Sequence, residues 1–281
     1  MKFVRYGAPG QEQPGLLGPS GAIHDLSGEV DDLAGEGLHP DTLARLAALN
    51  PDDLPIVEGN PRLGPCVGGT RKFMGIGLNY ADHAAETGAD LPTEPMLFMK
   101  ATSCICGPDD DVIIPRKSEE LDWEVELGVI IGVEGKYIDE DKAIDHVAGY
   151  CLVNDVSERS FQFDHEGQFT KGKSADTFGP VGPWLVTPDE IPDPQNVRLW
   201  LEHNGEMRQD GSTRHMVFGA LYLVHYLSQF MRLEPGDIIT TGTPPGVGRG
   251  MNPPVYLRPG DTLRLGGEGL GEQNQALVAD I

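Results

Sequence analysis

The sequence predicts a mainly β, α+β protein with a barrel-like or sandwich core and few short helices. Three observations lead to this prediction: many short apolar runs, Gly- and Pro-rich turns between most of them, and only one long helical pattern. That pattern covers residues 220–231 and places His225 among apolar side chains, which favours a packed histidine. The 281 residues are enough for one large domain with a small appendage.

The composition is that of a globular and strongly acidic protein. Hydrophobic residues make up 39%, charged residues 23%, and the formal net charge is −23. This charge argues against nucleic acid or membrane partners, because phosphate groups attract basic surfaces. No window approaches the roughly 18 apolar residues of a membrane span, and Met1–Gly7 does not resemble a signal peptide, so we expect a cytoplasmic protein. The four cysteines have no zinc-site spacing, and we expect them to be reduced.

The first 65 residues are predicted to form a small N-terminal domain. They contain three short strand patterns and one short helix pattern at Pro40–Leu49. Asn60–Pro65 has the composition of a linker. Residues 66–281 are therefore predicted to form a second domain, which carries the candidate chemistry.

A strand pattern followed by a short helix opens this second domain. Asn79 is a suitable N-cap for the helix and Gly88 a suitable end. His83 and Glu86 are three residues apart and share a helix face. A carboxylate beside an imidazole raises its basicity and suits a general base. The alternative is an incidental pair on a one-turn surface helix.

Three carboxylates alternate with apolar residues in the strand pattern at residues 121–132. Asp122, Glu124 and Glu126 share one face, with neighbours about 6.6–6.8 Å apart along the strand. The apolar run that follows indicates burial, where like charges repel one another. A hard divalent cation such as Mg²⁺ would remove this repulsion by binding the carboxylate oxygens. The alternative is an acidic face in contact with water.

Two other apolar runs end on charged side chains. One ends on Lys100, which either extends to solvent or offers a cation to a substrate carboxylate. The other ends on Asp155, a candidate third oxygen ligand, and Arg159 and Gln162 follow it with a guanidinium and an amide.

Two Gly-rich segments have contrasting interpretations. Gly167–Ser174 matches the phosphate-loop pattern, but the Gly- and Pro-rich residues after Ser174 cannot form the helix that this motif needs, so nucleotide binding is not expected. The Thr241–Gly248 loop leaves backbone N–H groups free to approach a small anion, or it is purely structural.

Between these two segments, Asn204-Gly205 predicts a hairpin turn.

Taken together, these motifs resemble the fumarylacetoacetate hydrolase family over about residues 70–270. The motifs occur in the family's order: Gly77–His83, Phe98–Lys100, Trp123–Gly128, Asn154–Arg159, Lys173-Ser174, Asn204–Glu206 and Thr241–Gly248. The resemblance implies a mixed β-sandwich roll with a small N-terminal α+β domain, assembled as a homodimer with one divalent metal per subunit. Mg²⁺ is the expected ion, with Mn²⁺ or Ca²⁺ as alternatives.

The resemblance also implies a role for individual residues. Glu124, Glu126 and Asp155 would hold the metal. His83 and Glu86 would act as a dyad on water, and Lys173 would contact the reacting oxygens. The positions that match substrate-binding residues of the family are Tyr80, Lys100, Arg159, Gln162 and Thr243.

The expected reaction is metal-dependent hydrolysis of the C3–C4 bond of a 2,4-dioxo acid, which gives pyruvate and a second acid. The chain resembles most closely a bacterial branch that includes 2,4-diketo-3-deoxy-L-rhamnonate and L-fuconate hydrolases and acylpyruvate hydrolases. Decarboxylation of an oxaloacetate-like acid and isomerisation of a hydroxymuconate-like diacid remain alternatives at the same kind of site. A catalytically silent binding protein is an alternative of another class.

Overall fold

Strands make up most of the ordered elements, and the mainly β, α+β prediction is confirmed. The computed structural model describes residues 1–88 and 90–280, without the side chains of Ala85 and Thr87. The strands are β1 Lys2–Tyr6, β2 Gln13–Leu17, β3 Ile23–Asp25, β4 Phe73–Gly77, β5 Met96–Lys100, β6 Ile105–Cys106, β7 Val112–Ile114, β8 Leu121–Asp122, β9 Val125–Ile131, β10 Val147–Asn154, β11 Ser157–Glu158, β12 Gly179–Val186, β13 Arg198–His203, β14 Glu206–Ser212, β15 Ile238–Thr240, β16 Thr262–Gly267 and β17 Gly271–Ala279. The α-helices are α1 Pro40–Ala47, α2 Ala81–Thr87, α3 Arg159–Phe163, α4 Thr170–Lys173 and α5 Ala220–Ser228. Short 3-10 helices cover Gly35–Leu38, Pro51–Asp53, Thr102–Cys104, Glu140–His146, Thr213–His215 and Gly248–Gly250.

Strands β9 and β10 form the buried middle of a large mixed sheet. Its order is β3-β2-β1-β12-β10-β9-β15-β4-β5, and β6 pairs with β12. Every residue of β9 and β10 is buried, which agrees with their mainly apolar sequence. The two strands are antiparallel, with Glu126 opposite Val153. The start of β9 and the end of β10 therefore lie side by side, and this edge brings Glu124, Glu126 and Asp155 together.

A second sheet, β14-β13-β16-β17-β7, packs on the first through contacts of β9 with β13 and β16 and of β10 with β17. Buried amides join the layers: the Nε2 of Gln273 donates to the carbonyls of Leu152 and Gly182 at 3.0 and 2.9 Å. Strand β17 was not predicted, because Gln273 and Gln275 occupy inward positions where a strand pattern normally has apolar residues. The predicted hairpin at Asn204-Gly205 joins β13 and β14, with φ angles of 52° and 76°.

The N-terminal strands join the large sheet through pairing of β1 with β12, with Phe3 opposite Leu185. Phe3 and Phe73 belong to one buried apolar cluster. Arg62, within the predicted linker, donates from Nε to Oδ1 of Asp110 at 2.7 Å. The division of the chain between residues 65 and 66 stays a prediction.

The predicted continuous strand over residues 121–132 is interrupted between β8 and β9. Side chains take the place of the strand ladder at this point. The Oδ1 of Asn154 accepts a hydrogen bond from the N–H of Glu124 at 3.1 Å, and the Oε1 of Gln209 accepts one from the N–H of Val125 at 3.0 Å. Glu124, which lies in this interruption, lines a cavity.

The predicted N-cap role of Asn79 is wrong. Its Nδ2 donates to the carbonyls of Phe218 and Thr241 at 2.9 and 2.8 Å, and its Oδ1 accepts from the N–H of Phe218 at 2.8 Å. Asn79 therefore ties the start of α2 to the loop after β15 and to the segment before α5. The end of α2 at Gly88, where φ is +67°, agrees with the prediction.

No helix in the described residues is long and apolar enough to cross a membrane. The helix that was predicted over residues 220–231 is α5, which ends three residues earlier. Within it, the Nδ1 of His225 lies 2.7 Å from the carbonyl oxygen of Ile138, and the prediction of a packed histidine is confirmed.

Candidate metal centre and catalytic cavity

Three buried carboxylates meet at the edge where β9 begins and β10 ends. Glu124 precedes β9, Glu126 lies within it, and Asp155 follows β10. One oxygen from each carboxylate lies within 4.8 Å of the other two. The backbone fixes this spacing, because the N–H of Asp155 donates to the carbonyl of Glu124 at 2.8 Å. Asp122, on the same predicted face, is also buried, so the alternative of a water-exposed acidic face is wrong.

Buried cations surround the three carboxylates. The Nζ of Lys173 lies 2.6 Å from Oε2 of Glu124 and 2.7 Å from Oδ2 of Asp155. The Nζ of Lys100 lies 2.5 Å from Oδ1 of Asp155, and Nη2 of Arg159 lies 2.7 Å from Oε1 of Glu124. These ion pairs offset the cost of burying charge, which would otherwise be several kcal/mol per group.

The surroundings move the pKa values of the two glutamates in opposite directions. Burial alone would raise the pKa of Glu124, but the charges of Lys173 and Arg159 outweigh it and lower this pKa to about 2. Burial raises the pKa of Glu126 well above its usual value, and the negative charges of Asp155 and Glu124 raise it further. Glu126 accepts hydrogen bonds at Oε2 from the hydroxyl of Thr240 and the N–H of Gly242, at 2.5 and 2.6 Å. Repulsion between the carboxylates therefore raises the pKa of Glu126, whereas the neighbouring cations lower the pKa of Glu124.

This donor set fits a hard divalent cation. Oxygens that lie within 4.8 Å of one another can share an ion whose ligands are roughly 2.0–2.6 Å away. Each carboxylate oxygen in an ion pair has a further lone pair available. An ion at this position would also remove the repulsion that raises the pKa of Glu126.

A cavity of about 390 Å³ lies beside the carboxylates. Four of the residues predicted to act in catalysis or metal binding line it: His83, Glu124, Glu126 and Lys173. Three predicted substrate-binding residues also line it, namely Arg159, Gln162 and Thr243. The remaining lining residues are Ile76, Gly77, Leu78, Met96, Phe98, Phe163, Phe169, Gly242, Val247, Arg249 and Gly250.

Tyr80 and Lys100 lie behind the lining residues. The side chain of Lys100 is fully buried against Asp155 and also donates to the carbonyl of Val156 at 3.4 Å. The ring of Tyr80 is fully buried, and its hydroxyl has no hydrogen-bond partner among the described residues. Lys100 therefore contacts the carboxylate cluster through Asp155 and does not itself line the cavity. The hydroxyl of Tyr80 is a hydrogen-bond donor without an acceptor among the described residues.

Helix α2 brings the predicted dyad to the cavity. The Nδ1 of His83 lies 2.9 Å from Oε2 of Glu86. Glu86 also accepts hydrogen bonds from the N–H of Gly246, at 3.1 Å on Oε1 and 3.3 Å on Oε2. The loop therefore orients Glu86, Glu86 orients the imidazole, and His83 faces the same cavity as Glu124 and Glu126. This geometry places the imidazole of His83 where a general base for the cavity would have to be.

The substrate-binding candidates share hydrogen bonds with the scaffold. Nη1 of Arg159 donates to Oε1 of Gln162 at 3.1 Å. The hydroxyl of Thr243 donates to the carbonyl of Val125 at 2.9 Å and accepts from Nε2 of Gln209 at 2.8 Å. These contacts fix the polar groups in place, as a binding site for a small ligand requires.

Sequence reasoning missed the residues that support the carboxylates. Asp122 was recognised as part of the acidic face, but no role was inferred for it, although its Oδ2 accepts from Nε of Arg159 at 2.9 Å. Asn154 and Gln209 hold the backbone around Glu124, as described above, and no role was inferred for them. The alternation of residues 121–127 was a signal for Asp122. Asn154 belongs to the Asn154–Arg159 motif, which suggested no role for its amide, and Gln209 belongs to no recognisable motif.

The match to a phosphate loop has no structural basis in the described residues. Residues 170–173 form α4 within the motif, and the chain enters strand β12 at Gly179 instead of a helix. Lys173 points into the carboxylate cluster. The prediction against nucleotide binding by this motif is therefore supported by the local structure.

The sequence matches a family model and curated proteins over most of its length. The family model described as fumarylacetoacetate (FAA) hydrolase, C-terminal, matches residues 72–278. A provisionally named hydrolase of Burkholderia multivorans is 61% identical over 276 residues, which cover 98% of each chain.

Solved structures match the fold along the whole chain. Fumarylacetoacetate hydrolase from the psychrophile Exiguobacterium antarcticum has a TM-score of 0.88 and 36% identity, with all of both chains covered. Maleylpyruvate hydrolase from Sphingobium sp. SYK-6, solved in complex with manganese(II) and pyruvate, has a TM-score of 0.82 and 27% identity over all of both chains. A 5-carboxymethyl-2-hydroxymuconate delta-isomerase from Mycobacterium smegmatis has a TM-score of 0.77 and 29% identity, again over all of both chains. The chain therefore belongs to the fumarylacetoacetate hydrolase family, whose members include hydrolases and isomerases.

Proposed function

We propose that this protein is a metal-dependent hydrolase that cleaves the C3–C4 bond of a small 2,4-dioxo acid to pyruvate and a second acid. One observation carries the proposal: His83, which is hydrogen-bonded to Glu86, lines the same cavity as the buried carboxylates Glu124 and Glu126. A general base and a cation site on one small cavity are what water-dependent cleavage of a chelating keto acid needs.

Mg²⁺ is the proposed ion, with Mn²⁺ or Ca²⁺ as alternatives, held by Glu124, Glu126 and Asp155. The manganese and pyruvate in the maleylpyruvate hydrolase complex support this choice of ion class and product. When bound, such an ion acts as a Lewis acid toward the carboxylate and 2-oxo oxygens of the substrate.

The residues of the chain would carry out the proton transfers. Glu86 holds the imidazole of His83, and His83 removes a proton from a water molecule that attacks the C4 carbonyl. Lys173 lines the cavity and supplies positive charge near the oxygen that becomes negative. When the C3–C4 bond breaks, its electron pair goes to C3, which takes a proton from His83. The overall reaction thus converts one dioxo acid and one water molecule into pyruvate and a second acid.

The remaining predicted site residues are proposed to position the substrate. Arg159, Gln162 and Thr243 would do so directly, because they line the cavity. Lys100 would act through Asp155, and Tyr80 would offer its unpaired hydroxyl.

The acyl portion of the substrate is proposed from the sequence resemblance. The sequence resemblance favours a 2,4-diketo-3-deoxy sugar acid such as the L-rhamnonate or L-fuconate derivative, and other acylpyruvates are the alternative. We further propose that the enzyme works in the cytoplasm as a homodimer, which size-exclusion chromatography with light scattering would test.

Two other reactions would use the same type of site. The isomerase relative supports isomerisation of a hydroxymuconate-like diacid, and decarboxylation of an oxaloacetate-like acid is a third reaction. Neither reaction needs an activated water molecule, so the His83–Glu86 pair favours hydrolysis. A silent binding protein would not need this pair, because binding alone does not require a general base.

Pyruvate release from a panel of 2,4-dioxo acids tests the proposal. We expect release with Mg²⁺, none with EDTA, and a loss of kcat of about 10²–10⁴-fold in His83→Ala, because a single general base typically contributes that much. Melting temperatures of both proteins serve as the folding control. Loss of CO₂ from oxaloacetate with His83→Ala still active, and no cleavage of any dioxo acid, would contradict the proposal and support decarboxylation.

A further inference from the structure

We infer that Arg249 forms a subsite for a carboxylate on the acyl end of the substrate, so that the preferred substrate is a dicarboxylic 2,4-dioxo acid with an apolar connecting chain. The inference rests on the proposed function for the identity of the dioxo acid end. It adds a specificity-determining residue at the other end, and there it favours a dicarboxylic acylpyruvate over the sugar acid to which the sequence resemblance points.

The cavity has one charged end and largely apolar walls. The charged end contains Glu124, Glu126, Arg159 and Lys173. The walls are formed by Ile76, Leu78, Met96, Phe98, Phe163, Phe169 and Val247. Hydroxyl groups placed along such walls would lose hydrogen bonds to water without gaining partners. The walls therefore favour a hydrocarbon chain over the polyhydroxy chain of a sugar acid.

Among the arginine and lysine side chains that line the cavity in the described residues, Arg249 is the one without a carboxylate partner. Arg159 is paired with Asp122 and Glu124, and Lys173 is paired with Glu124 and Asp155. The exposed guanidinium of Arg249 instead lies 4.0 Å above the ring of Phe163. All of its N–H donors remain available for a ligand, and a guanidinium can bind a carboxylate with two parallel hydrogen bonds.

The position of Arg249 is fixed by a buried contact. Its backbone N–H donates to Oδ2 of Asp122 at 3.0 Å, and the N–H of Gly248 donates to Oδ1 at 2.6 Å. Stacking on Phe163 restrains the other end of the side chain. The exposed guanidinium is therefore held at the edge of the cavity, and it takes no part in the ion pairs of the carboxylate cluster.

The charge of the whole chain gives such an arginine a second effect. A net charge of −23 repels a substrate that carries two carboxylates. An unpaired cation at the cavity edge offsets this repulsion locally and attracts the acyl-end carboxylate. The benefit of Arg249 for a diacid should therefore decrease as the ionic strength rises.

Two dioxo acids of equal chain length test the inference: 2,4-dioxoheptanedioate, which ends in a carboxylate, and 2,4-dioxoheptanoate, which ends in a methyl group. A 2,4-diketo-3-deoxy sugar acid completes the set. We expect the wild type to prefer the diacid in kcat/KM, mainly through a lower KM. Arg249→Met should reduce the ratio of kcat/KM for diacid to monoacid by about 10- to 100-fold, the range expected for a charged hydrogen-bonded pair.

Two further variants separate charge from structure. Arg249→Lys keeps the positive charge and should retain part of the preference. Arg232→Met removes an exposed arginine that pairs with Glu134 outside the cavity lining, and it should leave the diacid-to-monoacid ratio unchanged. A preference for the sugar acid, or an equal loss for both heptanoic acids in Arg249→Met, would overturn the inference.

Calorimetric binding of the same two acids, with Mg²⁺ and the His83→Ala protein, makes the test independent of turnover. Tighter diacid binding that Arg249→Met abolishes supports the inference even if the wild type releases no pyruvate, in which case only the proposed hydrolysis fails. Pyruvate release with no effect of Arg249 on binding would leave hydrolysis standing and reject the subsite. Failure of both acids to bind would reject both.

Discussion

At the scale of single residues, Asp122 connects two walls of the cavity. Its fully buried carboxylate lies 2.8 Å from Nη2 of Arg159 and accepts the backbone N–H groups of Gly248 and Arg249. Arg159 in turn contacts Glu124. Asp122 therefore fixes both the arginine beside the proposed metal ligands and the loop that carries the proposed acyl-end subsite.

Asp122→Asn should destabilise the protein and weaken substrate binding. An amide keeps the shape but removes the charge that Arg159 faces, and its NH₂ group would oppose backbone donors. Loss of one partner from a buried ion pair costs about 3–5 kcal/mol, which urea unfolding would measure. Asp210→Asn, in the exposed pair with Arg198, is the control and should unfold like the wild type. An unchanged free energy of unfolding in Asp122→Asn would show that Arg159 does not depend on this contact.

At the same scale, the sequence identifies the residues that carry charge more readily than those that support them. Glu124 and Glu126 are recognisable because their alternation with apolar residues predicts one strand face. The supporting roles of Asn154 and Gln209 are not recognisable from the sequence, because their amide oxygens accept hydrogen bonds from backbone N–H groups that are 30 and 84 residues away. Such contacts depend on how strands pack, which short-range patterns do not contain.

At the scale of elements, the loop after β15 holds α2 over the cavity. The N–H of Gly246 donates to both oxygens of Glu86, and Glu86 contacts His83. Gly246 has a φ of +103°, and a Cβ there would lie 1.9 Å from the carbonyl oxygen of Arg208. Only glycine fits this position, so the loop conformation and the orientation of the dyad depend on one residue.

Gly246→Ala should therefore lower kcat more than it raises KM. The clash with Arg208 forces the loop to move, Glu86 loses its backbone donor, and His83 is no longer held in one orientation. We expect a loss of kcat of about 10-fold or more, because one misplaced base loses part of a contribution of about 10²–10⁴. Steady-state kinetics with the best dioxo acid would measure both constants.

Gly205→Ala is the matched control for this prediction. Gly205 also has a positive φ, of +76°, but its Cβ would meet nothing within 4 Å. The control should lose stability from backbone strain, by about 1 kcal/mol, and keep the kcat of the wild type. Equal kinetic effects in both variants would mean that strain alone, and not the Glu86 contact, explains the result of Gly246→Ala.

At the scale of the whole molecule, local patterns predict elements that depend on neighbouring residues but not elements that depend on packing between distant segments. The hairpin at Asn204-Gly205 and the helix around His225 were predictable because each depends on neighbouring residues. The strand that contains Gln273 was not, because its inward amides satisfy carbonyls of the other sheet. The buried cations Lys100 and Lys173 pair with Glu124 and Asp155, which lie beside β9 and β10, so these contacts form only when β5 and α4 have packed against the middle of the large sheet.

The contact between Arg62 and Asp110 offers a test of how the N-terminal segment is attached to the rest of the chain. The Nε of Arg62 donates to Oδ1 of Asp110 at 2.7 Å, and the N–H of Gly107 donates to Oδ2 at 2.7 Å. Burial alone would raise the pKa of Asp110, but the hydrogen bonds from Arg62 and Gly107 outweigh it and lower the pKa below its usual value. This carboxylate therefore stabilises the folded state when it is charged.

Asp110→Asn should reduce stability in a pH-dependent way. Because the folded pKa lies below the unfolded pKa of about 3.9, the stabilisation is fully present above that pH and is lost as the pH falls through the folded value. At pH 7 we expect a loss of about 1 kcal/mol, since the pair is partly exposed and screened by solvent. The difference between wild type and variant in urea unfolding should shrink below about pH 4. Asp111→Asn, at the exposed neighbouring position, controls for the change in net charge. A difference that stays constant down to acidic pH would show that Asp110 stabilises the N-terminal attachment through shape and not through its charge.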